Sequence, residues 1–201
     1  MTKTIAKIIS VLFHPVLIPT LGFLLLLNSG FYFSMISWEA KRFVLLVFIF
    51  TTGVLPLLTA AIMALNPKFD LSMDGLRDRI VMFLFTSVFY YLGYLIMNRM
   101  KAFPVFKVFL VASVLVIVIL LIVSFKWKIS SHMAALGSIS GTLFALSFRS
   151  GINPVWALVT VIFVSGAVGT SRLLLGKHDI WQVVAGYSAG FAVLYPAVYF
   201  S

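Results

Sequence analysis

Two histidines stand just ahead of apolar runs, each at the end of a short basic loop. One loop reads Lys126-Trp127-Lys128-Ile129-Ser130-Ser131-His132. The other reads Ser171-Arg172-Leu173-Leu174-Leu175-Gly176-Lys177-His178-Asp179-Ile180-Trp181-Gln182. A third loop ends Arg77-Asp78-Arg79 and also leads into an apolar stretch. The start of a helix offers unpaired backbone N–H groups and the positive end of the helix dipole, so such places suit an anion. Guanidinium groups add a planar fork that matches phosphate oxygens, and serine hydroxyls add further donors. A tetrahedral oxyanion such as phosphate fits this set. Two imidazoles beside it can supply a nucleophile and a proton donor. The third histidine, His14, precedes Pro15 and reads as a helix-end histidine bonded to a loop.

The elements that must position these groups are apolar to a degree that excludes a soluble domain. Of 201 residues, 62% are hydrophobic and 10% charged, and the mean hydropathy is +1.14. A soluble globular domain is about half apolar and about a quarter charged, so lipid is the natural solvent. The net charge of +10 raises nucleic acid as a partner in a soluble protein. Here the cations sit in short loops between apolar runs, which points to lipid headgroups or an anionic substrate and away from nucleic acid. There are no cysteines, hence no disulfide, thiolate metal site or thiol nucleophile.

A membrane helix needs roughly 17–25 mostly apolar residues. Seven segments qualify: Ile8–Leu27, Phe43–Leu65, Ile80–Met97, Val105–Val123, Met133–Phe148, Val155–Thr170 and Ile180–Phe200. The fifth and sixth are short, which places their ends in a recess. The expected fold is an all-α, multi-pass transmembrane bundle of about seven helices, with six as the alternative. The loops are too short for a second domain, so residues 1–201 form one unit. Alternation of crossings puts His132, His178 and the three basic loops on one face. The other face, with Arg99, Lys101, Lys107 and Arg149, is merely basic and sets orientation.

The three loops resemble, in order, the three motifs of the type 2 phosphatidic acid phosphatase superfamily, which includes the vanadium haloperoxidases. Ser171-Arg172, five residues and His178 follow the third motif without a gap, and Val183-Val184-Ala185-Gly186 continues it. Ile129-Ser130-Ser131-His132 follows the second motif, Pro-Ser-Gly-His, at its serine and histidine. Arg79-Ile80 follows the Arg-Pro of the first. The resemblance covers about residues 77–190. It implies that His178 attacks phosphorus to form a phosphohistidine and that His132 protonates the leaving oxygen and then activates water. It also implies that Arg79, Arg172, Ser130 and the Ser131 N–H hold phosphate oxygens. No metal or other cofactor belongs to that mechanism, because the cations stabilise the charge.

There are three departures from the pattern. The first-motif lysine falls at Ser72, for which Lys128 or Arg77 is the substitute; the second motif lacks its proline and glycine; and the aspartate that orients the nucleophilic histidine falls at Gln182. His178 and Gln182 are four apart, so on one helix they would meet. Gly137 and Gly141, and Gly186 and Gly190, are also four apart. That spacing lets membrane helices approach closely and would bring the fifth and seventh segments, with both histidines, across one phosphate.

The expected function is hydrolysis of a phosphomonoester or diphosphate on a membrane lipid. Transfer of the phosphate to another lipid, or binding of a lipid phosphate with weakened catalysis, are the alternatives. A transporter or channel usually places ionisable residues inside its membrane segments, and these segments have essentially none away from their ends. The resemblance implies a bacterial inner membrane with the site on its extracytoplasmic side.

Overall fold

The computed structural model describes residues 2–31, 33, 36–66, 75–99 and 104–201. They are all-helical apart from turns and loops. Helices α1 (Thr2–Leu12), α2 (Ile18–Asn28) and α3 (Trp38–Phe48) come first. A π-helical turn (Ile49–Val54) joins α3 to α4 (Leu55–Ala64) in one rod. Then follow α5 (Leu76–Asn98), α6 (Pro104–Ser124), α7 (Ser131–Ser150), α8 (Val155–Leu174) and α9 (Ile180–Tyr199).

Among the described residues, four rods are long and apolar enough to cross a membrane: Trp38–Ala64, α5, α6 and α8. That supports an integral membrane protein, but at four spans by length and composition rather than seven. The first expected segment is not one helix. Pro15 has no N–H and clashes with the preceding turn, so α1 stops at Leu12 and the chain restarts at Ile18. Neither piece, at 11 residues each, spans a bilayer core about 30 Å thick. Helices α7 and α9 are 20 residues long. Their apolar content is diluted by the glycines, serines and tyrosines with which they face each other and the bundle. The expected shortness of the fifth and sixth segments is also corrected, since α7 and α8 both run 20 residues.

Helices α7 and α9 form the most intimate pair in the molecule. A Cβ on Gly137 would strike the Tyr187 carbonyl, and one on Gly190 the Ala134 carbonyl. A Cβ on Gly141 would lie 2.9 Å from the Phe191 carbonyl oxygen, and one on Gly186 2.5 Å from that of Ser130. Both glycine pairs therefore serve backbone-to-backbone approach, as their spacing suggested. In lipid this matters because dispersion between closely fitted helices, not expulsion of water, holds a bundle together.

Helix α6, almost wholly apolar, packs on α5 and α9. At its start Phe106 meets Phe23 edge-on at 4.9 Å, and Phe23 stacks on Phe48 at 4.4 Å, tying α2, α3 and α6 together. The π-helical turn precedes Pro56, whose missing N–H disrupts regular α pairing. Thr51 and Thr52 there donate their hydroxyls to the Val47 and Phe48 carbonyls at 2.7 and 2.8 Å. Thr51 also presses on Gly93 of α5.

Candidate active site

The loop entering α9 is built by two local devices. Helix α8 runs on past Thr170 through Arg172 to Leu174, so the Ser171-Arg172 pair lies in its last turn, not at a helix start. A cation suits that negative end of the dipole. Gly176, at φ 64°, then reverses the chain in a conformation costly for other residues. Asp179 caps α9: its carboxylate accepts the Gln182 N–H at 2.9 Å, and Gln182 Oε1 accepts the Asp179 N–H at 3.3 Å. This reciprocal arrangement is a capping box.

The capping box fixes His178. The ring Nδ1 lies 3.0 Å from Gln182 Oε1 and 3.2 Å from the Lys128 carbonyl oxygen. Gln182 Oε1 already accepts from a backbone N–H, so it is the oxygen and not the amide nitrogen that faces the imidazole. Both neighbours are acceptors, so Nδ1 carries the hydrogen and Nε2 keeps its lone pair. The i, i+4 contact expected from sequence is made, but not on a helix face, because His178 precedes the helix. Asp179 is spent on the cap and does not touch His178. Burial is the main cause of a His178 pKa below the usual histidine value. The bond to Gln182 raises it, the Arg172 charge lowers it, the Lys128 carbonyl raises it and the Lys128 charge lowers it. The ring is therefore neutral near pH 7.

The second loop is stitched to the first. Ser130 N–H donates to the Gln182 carbonyl at 3.2 Å, and the absence of a side chain at Gly186 admits the Ser130 carbonyl to α9. Ser130 is the N-cap of α7 but makes no side-chain cap. The first intrahelical bond is Ala134 N–H to the Ser130 carbonyl, so the N–H groups of Ser131, His132 and Met133 precede the helical ladder. His132, in the first turn, is buried. Its Nε2 lies 3.2 Å from the Ser10 carbonyl, and its ring meets His14 edge-on at a centroid distance of 5.6 Å. Arg172 Nη1 donates to Ser10 Oγ at 2.8 Å. Arg172, His14 and His178 all lie within electrostatic range of His132.

At the start of α7 two buried polar atoms have no hydrogen-bond partner in the structure: Ser130 Oγ and His132 Nδ1. Leaving such a group unsatisfied costs about 1–3 kcal/mol, and native proteins keep few of them. Both lie at the N-terminus of α7 beside cations, where an oxyanion that still carries one hydrogen would satisfy them, accepting from the Ser130 hydroxyl and donating to the imidazole. Arg79 is buried in the first turn of α5, one turn before Met82. Met82 lines a narrow apolar cavity of about 90 Å³ whose polar end is formed by His14 and Ser131. The cavity continues along α5, α6 and α7 past Thr86, Ser113 and Ser138 to Tyr90. From Met82 to Tyr90 is about 12 Å of helix. Arg77 is exposed at the start of α5 and stands outside the buried cluster. Ser72 lies outside the described residues.

Comparison with known proteins gives no match: no family model, no curated protein and no solved structure is similar to this chain. The site is argued from its own geometry. His132, His178, Gln182, Arg172, Lys128, Ser130 and Ser131 converge from the loops and helix ends preceding α7 and α9. Ser10 and His14 join them from the segment expected to be the first membrane helix. The signal was the His14-Pro15 pair inside an otherwise apolar run. Among the described residues no group of three His, Cys, Asp or Glu stands close enough to share a metal ion. The chemistry of the donors present, cations and N–H groups, suits an anion.

Proposed function

We propose that this protein hydrolyses a phosphate monoester or diphosphate on a membrane lipid through a phosphohistidine at His178. The observation that carries the reading is the orientation of His178. Its Nδ1–H is held by two carbonyl oxygens, which leaves Nε2 as a neutral nucleophile among cations and N–H donors. His132 takes the acidic hydrogen of the bound phosphate monoanion on its open ring nitrogen. The His178 Nε2 lone pair then attacks phosphorus as the bond to the leaving oxygen breaks, and His132 passes that proton to the leaving oxygen. Water, deprotonated by His132, then attacks phosphorus and the P–N bond breaks. His132 returns the proton to the phosphate, which leaves, and both rings are back in their starting states. Arg172, Arg79, Lys128, Ser130 and the Ser131 N–H offset the charge that builds on the equatorial oxygens.

The apolar cavity, which has His14 and Ser131 among its lining residues, supports a lipid substrate, because it runs from the start of α7 along α5 and α6. An extracytoplasmic site on a bacterial inner membrane completes the proposal and rests on the motif resemblance. Its direct test is phosphate release in detergent from a panel of lipid phosphates with excess EDTA. Release from at least one lipid is expected, with inhibition by vanadate. A strict requirement for added divalent metal, or no release from any member, would overturn it.

A further inference from the structure

Ser10 lies in none of the segments that resemble a motif, yet both of its polar groups are turned onto the site. The origin is Pro15. In an unbroken helix the Ser10 carbonyl would accept the His14 N–H, four residues on. Near the proline the turn tightens, and His14 N–H goes to Val11 O instead, at 3.2 Å. The Ser10 carbonyl is thereby released from the ladder, and it points at His132 Nε2, 3.2 Å away. The hydroxyl of the same residue takes a hydrogen from Arg172 Nη1 at 2.8 Å. Ser10 is 6% exposed and His132 7%, so water does not compete for these bonds.

We propose that Ser10 is a positioning residue that fixes the tautomer of His132 through its carbonyl and the aim of Arg172 through its hydroxyl. The proposal rests on the lipid phosphatase reading for its kinetic part and on geometry alone for its structural part. A carbonyl oxygen only accepts, so His132 Nε2 must carry a hydrogen. In the neutral ring the lone pair then sits on Nδ1, the buried atom with no partner. His132 therefore exchanges its proton with the leaving group and with water through Nδ1, while His178 reacts through Nε2. The two rings present opposite nitrogens because each is held by carbonyl oxygen on the other. His14, edge-on to His132, limits the swing of the ring.

The two halves of the role separate by mutation. Ser10→Ala keeps the carbonyl and loses the hydroxyl. It should weaken vanadate binding and raise KM about tenfold, the usual scale for a hydrogen bond to a charged group, with a smaller change in kcat. Ser10→Thr should restore both. Pro15→Ala lets His14 N–H return to the Ser10 carbonyl, and it should lower kcat more than it alters KM. The readout that needs no activity is the ¹⁵N NMR spectrum of His132 in detergent, assigned by its loss in His132→Gln. Wild type should show a protonated Nε2 and an unprotonated Nδ1 at neutral pH, and Pro15→Ala should show a mixture. A wild-type spectrum with hydrogen on Nδ1 would overturn the tautomer claim even if no lipid were hydrolysed. Wild-type kinetics in both Ser10→Ala and Pro15→Ala, with phosphate release intact, would overturn the positioning claim while leaving the phosphatase reading standing. Absence of phosphate release in the wild type would remove that reading and leave the spectrum as the test.

Discussion

The two ends of the α7–α9 pair are built from similar materials and finished differently. At the far end, Arg149 in the last turn of α7 donates to the Val198 carbonyl at 3.2 Å and to Ser201 Oγ at 2.9 Å. Ser147 and Ser150 bond to the Ile152 and Leu146 carbonyls. Gly151, at φ 67°, closes the helix. Every one of these polar side chains has a partner within the fold. At the near end, Ser130 Oγ and His132 Nδ1 are buried without one, although the backbone around them is closely stitched. One end satisfies its polar groups within the fold. The other leaves two of them unpaired, and on the proposed reading a phosphate would engage them. Arg149, read from sequence as an orientation signal, proves to be a tie between two helices.

That contrast can be broken or sharpened by experiment. The largest effect should come from His132→Ala, which removes the proton donor on the proposed reading. Turnover should fall by about 10²–10⁴-fold, while a substrate with a good leaving group still forms phosphoenzyme. An unchanged rate would remove His132 from the chemistry. Next, Ser130→Ala deletes a hydroxyl that the fold leaves unsatisfied. It should lower kcat/KM about tenfold through a lost phosphate contact while Tm stays level or rises. A fall in Tm with normal activity would show that the near end is structural too.

The Gln182 series reads out a smaller shift, in pH rather than in rate. On the proposed mechanism His178 must be unprotonated to attack, so activity would be present above its pKa and lost as pH falls through it. Burial sets that pKa below the usual histidine value, and the Gln182 bond partly opposes the fall. Gln182→Ala should move the acidic limb of kcat/KM further down, and Gln182→Asp, by adding a negative charge, should move it up. Three superimposed profiles would mean that Gln182 does not tune His178. The smallest effect should be that of Arg149→Ala: a loss of about 1 kcal/mol in stability, seen as a lower Tm, with kcat unchanged.

Much of this arrangement was legible in the sequence, for identifiable reasons. The four-apart glycines announced the α7–α9 contact because only a missing Cβ admits backbone at that distance. The His178–Gln182 contact was legible from spacing, although a capping box rather than a helix face makes it. The crossings were less legible, since hydropathy does not distinguish a helix that faces lipid from one whose glycines and tyrosines face another helix. Pro15, inside the first expected membrane segment, ends α1, frees a carbonyl and brings Ser10 and His14 to the site. Which acceptor a proline releases depends on the turn geometry around it, and no residue pattern specifies where that acceptor will point. Arg77 is a candidate substitute for the first-motif lysine, but it is exposed, whereas Arg79, two residues on, is buried.

The central claim is that His178 carries the phosphate, and the most direct measurement is to trap it there. Wild-type protein in detergent with excess EDTA would be mixed with ³²P-labelled lipid phosphate, quenched within a turnover in alkali, where phosphohistidine survives, and digested. The account predicts label on the peptide containing His178, labile to acid and absent from His178→Ala; in His132→Ala it accumulates only from a substrate with a good leaving group. Turnover by the wild type with no labelled peptide, or label retained in His178→Ala, would contradict it.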